Sequence, residues 1–259
     1  MTRHATLARG FTLVEMMVAL ALGMLLAIVV AQLFANTRDS NRATEDASRI
    51  QESMRYAATI IGRTVRIAGY KSNPTADSAT IFPAAARALD GTNGAATASD
   101  TLIVRFQGGG PTSATADNTI LNCLGVGVAP DFAGTNTSYN RFSIATGADG
   151  RNALFCNTDT ANPLAAGTEL VPGVEAMQVI FGEDTTADGT ADRFVPVGSV
   201  TELDNVVAVR VYLLLSGGDG VKLDAATANY TVGGVAYSFT DKRIRRIVTQ
   251  TIVLRNRAP

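Results

Sequence analysis

Met16 through Ala31 is a run of sixteen residues without one polar side chain, and Glu15 stands at its head. As a helix, Phe11 to Ala35 extends about 38 Å, enough to cross a hydrocarbon core of ~30 Å. Residues 1–10 carry Arg3, His4 and Arg9 and no acidic group. The positive-inside rule therefore places them in the cytoplasm and sends the rest of the chain across the membrane. A secretory signal would have a shorter apolar region and then a small-residue cleavage site, and no A-x-A sequence stands in a suitable place. A plain membrane anchor fits the length but leaves Glu15 unexplained. A carboxylate inside a spanning helix costs about 2.5–3.5 kcal/mol and normally has a partner.

The residues Arg9-Gly10-Phe11-Thr12-Leu13-Val14-Glu15 resemble the class III leader junction of type IV prepilins and type II secretion pseudopilins. That resemblance implies a prepilin peptidase that cuts after Gly10 and N-methylates Phe11. It also implies that Glu15, fifth in the mature chain, faces the charged N-terminal amine of a neighbouring subunit as helices stack. Each charge is costly alone in an apolar filament core, and pairing offsets much of that cost.

The helical pattern continues beyond the span. Ala43, Ala47, Ile50, Met54, Ala57, Ile61, Val65 and Ala68 recur mostly at steps of three and four, which is one helical face. Glu45–Arg49 and Glu52–Arg55 are spaced to pair on the outer side. Gly69 and Pro74 form a stop, so one helix from Phe11 to about Ala68 is expected, roughly 87 Å long. Many major pilins carry a helix-disrupting proline in the first half, where this chain has Gln32; the departure points away from a major-pilin role. Gln51 to Ala57 and Arg66 to Tyr70 resemble the PilW group of minor pilins, to which the J-type minor pseudopilins are related.

After Tyr70, strand-like runs occur at Thr101–Phe106, Arg141–Ala145, Ala153–Cys156, Ala176–Phe181, Val206–Leu215, Tyr237–Thr240 and Val248–Leu254. Gly/Asn/Asp/Thr-rich turns separate them, as in antiparallel sheets. Ala84–Leu89 reads as a short helical turn. The expected class is α+β, a long N-terminal helix packed on an antiparallel β-sheet domain. The expected divisions are a leader at 1–10, the membrane or filament-core half of the helix at 11–35, its amphipathic half at 36–69, and a globular β-rich domain at 70–259.

His4 is the single histidine, so removal of the leader leaves none. That excludes histidine-based acid–base catalysis, a Ser-His-Asp triad and histidine-ligated zinc, and no catalytic residues are expected. Losing Arg3 and Arg9 takes the formal net charge from −1 to about −3, too near neutral to imply nucleic acid as an obligate partner. Cys123 and Cys156 lie in the exported part, where an even cysteine count usually oxidises. Two unpaired buried thiols are the alternative.

Three further stretches carry candidate chemistry. Asp184, Thr186, Asp188, Thr190 and Asp192 alternate around Gly189 and resemble a calcium loop. Thr186 replaces a usual Asp or Asn, however, and Val195 stands where a bidentate acid belongs. A solvated Asp/Gly hairpin loop is the other reading, so Ca²⁺ is a possible cofactor and no other is expected. Lys242-Arg243-Ile244-Arg245-Arg246 is a basic run that reads as a phosphate contact or, more often, a solvated edge feature. Gly108-Gly109-Gly110-Pro111 lacks the lysine and setting of a phosphate loop and reads as a turn.

The function these resemblances imply is that of a minor type IV pilin, a structural subunit that primes or caps the pilus after peptidase cleavage. The alternatives are a minor pseudopilin of type II secretion and a tip-exposed pilin that binds DNA or another ligand. Implied partners are prepilin peptidase, other minor and major pilins, the inner-membrane assembly platform and a pilus-tip adhesin. The implied location is the inner membrane, with a periplasmic C-terminal domain, and then the pilus near its tip.

Overall fold

The computed structural model describes residues 12–113, 115–218 and 226–256. Its first element, α1, is one helix of 54 residues, Leu13–Arg66, inside the range expected from the sequence. Gly69 takes a left-handed φ of 73° just beyond it, a conformation that costs glycine little. The chain divides into two compact units, Met1–Glu45 and Asp46–Pro259, with the boundary inside α1.

Within the first unit, α1 is long and apolar enough to cross a membrane. Its large apolar side chains, from Leu13 to Phe34, are exposed. A soluble surface rarely carries so long an apolar stretch.

In the second unit two antiparallel sheets follow the helix. Strands β1 (Leu89–Thr92), β2 (Thr101–Phe106), β3 (Ser138–Thr146), β4 (Asn152–Asn157) and β5 (Thr168–Pro172) make a five-stranded sheet in that order. Strands β6 (Val174–Glu183), β7 (Arg193–Val195), β8 (Val206–Ser216) and β11 (Arg245–Val253) make a second, ordered β11-β8-β6-β7. Between β8 and β11 in sequence, β9 (Ala226–Val232) and β10 (Val235–Asp241) pair as a hairpin. All seven strand-like runs of the sequence fall on strands, with Leu254 alone lying one residue past β11.

Local sequence explains these elements. In β2, Leu102, Val104 and Phe106 alternate inward, the period of a strand with one buried face. Strand β8 is buried along nearly its whole length and pairs with both β6 and β11, so its unbroken apolar run suits a central position. The helical turn expected at Ala84–Leu89 is displaced to α2, Ser78–Ile81. There Asp77 accepts the Thr80 N–H at 3.1 Å as an N-cap, Pro83 stands two residues past the end, and Leu89 instead opens β1.

The chain passes from the first sheet to the second at Gly173, where φ is +78°. A Cβ there would stand 2.8 Å from the Ser216 carbonyl oxygen, and the Ser216 N–H donates to the Gly173 carbonyl at 2.9 Å. A side chain would break both the turn and this junction.

One core joins the elements of the second unit. Ile50, Ala57, Ile61 and Val65 of α1 meet Phe106, Phe142 and Leu154 of one sheet and Met177, Phe181, Val209 and Leu213 of the other. Each large side chain buried here contributes roughly 1.5–3 kcal/mol. The buried helix face is wider than the expected stripe, because Ile60, Gly62 and Thr64 are also buried. At Gly62 the Gln250 amide of β11 would lie 2.9 Å from a Cβ, and the Thr64 hydroxyl donates to the Ile60 carbonyl at 2.9 Å. On the outer side the expected Glu52–Arg55 pair does not form, and among the described residues neither side chain has an ionic partner. Exposed pairs at this spacing gain only a few tenths of a kcal/mol, too little to fix two long side chains.

Candidate functional site

The head of α1 is built by two side chains. The Thr12 N–H donates to Glu15 Oε2 at 2.9 Å and the Thr12 hydroxyl does so at 3.0 Å. The Glu15 N–H returns a bond to Thr12 Oγ1 at 3.2 Å. This reciprocal pair is a capping box, which satisfies two N–H groups that a helix start otherwise leaves open. The negative carboxylate also sits where the helix dipole favours it. The T-x-x-E spacing of residues 12–15 carried this signal, and the sequence reading used only Glu15. Gly10 and Phe11, the expected cleavage junction and methylation site, lie outside the described residues.

In the second unit Cys123 and Cys156 form a disulfide, with Cα atoms 6.4 Å apart and a separation of 33 in sequence. It fastens the loop before β3 to β4. Asn140 reinforces the loop: its Oδ1 accepts the Cys123 N–H at 2.8 Å, and its Nδ2 donates to the Val104 carbonyl at 3.3 Å.

Two parts of the sequence match known families. Residues 6–31 match the prokaryotic N-terminal methylation motif, which takes in the Gly10–Phe11 junction, Glu15 and the apolar run. Residues 141–256 match type IV pilus-assembly protein W. The chain thus carries a type IV pilin-like N-terminal motif and a PilW-like C-terminal region. Its PilW-like region runs from within β3 past the end of β11. No curated protein matches the sequence. Among solved structures it is similar to a type IV-like pilin from Thermus thermophilus, at 17% identity and a TM-score of 0.49, over 82% of this chain and 98% of that one.

Within the PilW-like region the acidic loop joins β6 to β7. Asp184 Oδ1 accepts the N–H groups of Thr186, Ala187 and Asp188, and Oδ2 accepts that of Gly189 at 2.7 Å. Asp192 accepts the Thr185 N–H at 2.6 Å, and Asp188 accepts the Thr190 hydroxyl at 2.6 Å. The Thr190 hydroxyl holds the Asp188 carboxyl below the usual range, and the Thr185 hydroxyl does the same for Asp192. The candidate ligands thus come together in one loop but turn their oxygens to its own donors. Among the described residues no group of three or more His, Cys, Asp or Glu side chains is placed to hold a metal ion.

A neighbouring carboxylate was missed in the sequence. Glu183, fully buried, takes two bonds from Arg193 at 2.9 and 2.7 Å on one oxygen. Its other oxygen accepts the N–H groups of Thr201 and Glu202, both at 3.0 Å. Burial opposes its charge, but the Glu202 N–H and the Arg193 guanidinium outweigh that and hold its carboxyl below the usual range.

The basic run is not a uniformly solvated edge. Lys242 and Arg246 are exposed, but Arg245 is buried. Its guanidinium binds Glu175 and Asp241 and lies 3.8 Å from the Phe239 ring centroid. Tyr237, a second aromatic of β10, is buried and accepts a 2.8 Å bond from the Gln178 amide. The glycine run also departs from a simple turn. Gly108 is pressed against the Val128 main chain, leaving no room for a Cβ, and Gly109 donates to the Val128 carbonyl at 3.2 Å.

Proposed function

We propose that this protein is a minor type IV pilin that primes assembly of the pilus or caps it. The observation that carries the reading is the exposed apolar half of α1 with Glu15 at its head, continuing into a helix half that a β-rich domain buries. An apolar helix surface of that length is covered either by lipid or by like helices. The subunit waits in the inner membrane as a single-pass protein with its β-rich domain in the periplasm, and enters the pilus near its tip. Prepilin peptidase cuts after Gly10 and methylates Phe11. Glu15 then exchanges its bonds to Thr12 for the N-terminal amine of a neighbouring pilin. Other minor and major pilins, the assembly platform and a tip adhesin are its partners. The match to a pilus-assembly family favours the pilus over a secretion pseudopilus.

The test is the intact mass of the protein from cells with and without prepilin peptidase, followed by detection of the chain in sheared pili. A peptidase-dependent start at N-methylated Phe11, with the protein in the pilus fraction, is the expected result. A chain that begins at Met1 in both strains overturns the proposal. A processed chain absent from pili and required for protein secretion favours the pseudopilus.

A further inference from the structure

Strand β11 ends the second sheet and pairs on one side, with β8, in a register free of bulges. The phase of that ladder is fixed at both ends. The Gly217 N–H donates to the Ile244 carbonyl and the Leu254 N–H to the Val207 carbonyl, both at 2.9 Å. Antiparallel partners exchange hydrogen bonds at every second residue. Arg246, Val248, Gln250 and Ile252 therefore bond β8, whereas Ile247, Thr249, Thr251 and Val253 turn their N–H and C=O groups to the open side. Among the described residues no hydrogen bond reaches those outward main-chain groups, and all four residues are exposed. The open stretch stops at Arg255, whose N–H donates to the Arg66 carbonyl of α1 at 3.2 Å.

Unpaired edges are normally blunted by short length, charge, proline or a bulge. The other three edges of the two larger sheets follow that rule. Strand β1 has four residues with Asp90 and Gly91 at its middle, and β7 has three. Strand β5 carries Glu169, Pro172 and a bulge. From Ile247 to Val253, by contrast, β11 has no charge, glycine or proline, and six of the seven residues are β-branched. That composition on an open edge favours pairing with another strand.

We propose that β11 is an interaction edge for an extended segment of another polypeptide, with β-branched residues at its centre and acidic residues at its ends. The charges around the edge select that partner. Arg246 and Arg255 bracket the open stretch, both exposed and, among the described residues, without an ionic partner. Arg245 is different, because Glu175 and Asp241 already hold it. Self-pairing is disfavoured by the same charges. Antiparallel pairing centred on Gln250 sets Arg246 beside the Arg255 of a second copy, and parallel pairing in register sets each arginine beside its equivalent. Like charges across a strand pair are destabilising. Acidic ends remove this cost, while the main chain supplies the bonds of an added strand. The inference rests on the second unit alone and stands apart from the pilin reading.

The test uses the full chain in detergent micelles and three blocked nine-residue peptides. Each alternates valine and threonine; one has aspartate at both ends, one has lysine there, and one has aspartate ends with N-methyl groups on alternate amides. Hydrogen exchange resolved to single amides and peptide anisotropy are the readouts. Without peptide, the Val248, Gln250 and Ile252 amides are expected to exchange slowly and those of Ile247, Thr249, Thr251 and Val253 fast. The aspartate peptide is expected to bind saturably and slow the second set. The lysine peptide is expected to bind about fivefold more weakly, and the N-methylated peptide not at all. Thr249→Pro removes an outward N–H that β8 does not use and is expected to abolish binding. Arg246→Glu with Arg255→Glu, both on exposed side chains, is expected to melt like the parent and reverse the charge preference. No protection of the outward amides, or a preference unchanged by the charge reversal, overturns the proposal. Concentration-dependent protection of those amides without peptide also overturns it, by making a second copy the occupant.

Discussion

Arg245 grips Glu175 with two bonds, 2.5 Å from Nε and 3.0 Å from Nη2, although 70 positions separate them. Only 1% of the arginine side chain and 9% of the glutamate are exposed. Asp241 closes the group at 2.6 Å, and its carboxyl is held far below the usual range, first by its bond from Arg245. The cluster fastens the β9–β10 hairpin to the second sheet, together with the small core of Ala176, Leu214, Val232 and Tyr237. Breaking one partner of a buried pair leaves the other charge stranded. Arg245→Met is expected to cost about 3–5 kcal/mol in denaturant unfolding. Adding Glu175→Gln to that variant is expected to recover part of the loss, and a second change that adds its full cost instead would show the pair to be uncoupled.

The Cys123–Cys156 bridge closes a loop of 33 positions, and a bridge of that size contributes about 3–4 kcal/mol, mainly through the unfolded chain. Replacing both cysteines with serine is expected to lower stability by that amount while leaving the helical circular dichroism signal intact. A melt unchanged by reduction would remove the bridge from the list of stabilising contacts.

Acid is expected to weaken the β6–β7 region. Glu183 has a folded pKa below its unfolded value, so its contribution is present above about pH 4.3 and is lost as pH falls through the folded pKa. The unfolding midpoint should therefore decline as pH falls below about 4.3 and through the lower folded pKa. Glu183→Gln is expected to start about 2 kcal/mol lower at neutral pH and to decline less. Parallel pH profiles for the two proteins would refute this account.

Asp184 serves four consecutive N–H groups, from Thr186 to Gly189. Asp184→Ala is expected to speed hydrogen exchange through the loop and cost about 1–3 kcal/mol. Because those oxygens are already engaged, millimolar Ca²⁺ or a chelator is expected to leave the melting temperature unchanged. A calcium-dependent rise would instead make the loop a cation site.

Ile61 is 1% exposed where α1 meets the sheets. Ile61→Ala is expected to cost about 2–5 kcal/mol through lost burial and a residual cavity, read from the unfolding of the second unit. A loss no larger than that of an exposed site such as Tyr56→Ala would show the helix is not docked as described.

Elements whose signal is local and strong were legible in the chain alone. The apolar run, the three-and-four stripe and Gly69 define α1, and alternation or unbroken apolar character defines seven strands, because burial on one or both faces imposes those periods. Strands β1, β5, β7 and β9 were not legible. Leu89–Thr92 and Arg193–Val195 are only four and three residues long, and Ala226–Val232 is largely polar. Such segments become strands because a neighbour supplies hydrogen bonds, and the neighbour is known only in the folded chain. The same holds for side chains. Glu15 could be singled out from its apolar setting, but its bond to Thr12 needed the geometry of a helix start. Arg245 read as one charge in a basic run until the fold brought Glu175 beside it. Chain-local patterns are set by the period of the backbone, whereas ion pairs, cross-links and open strand edges depend on which distant segments meet, and only tertiary structure decides that.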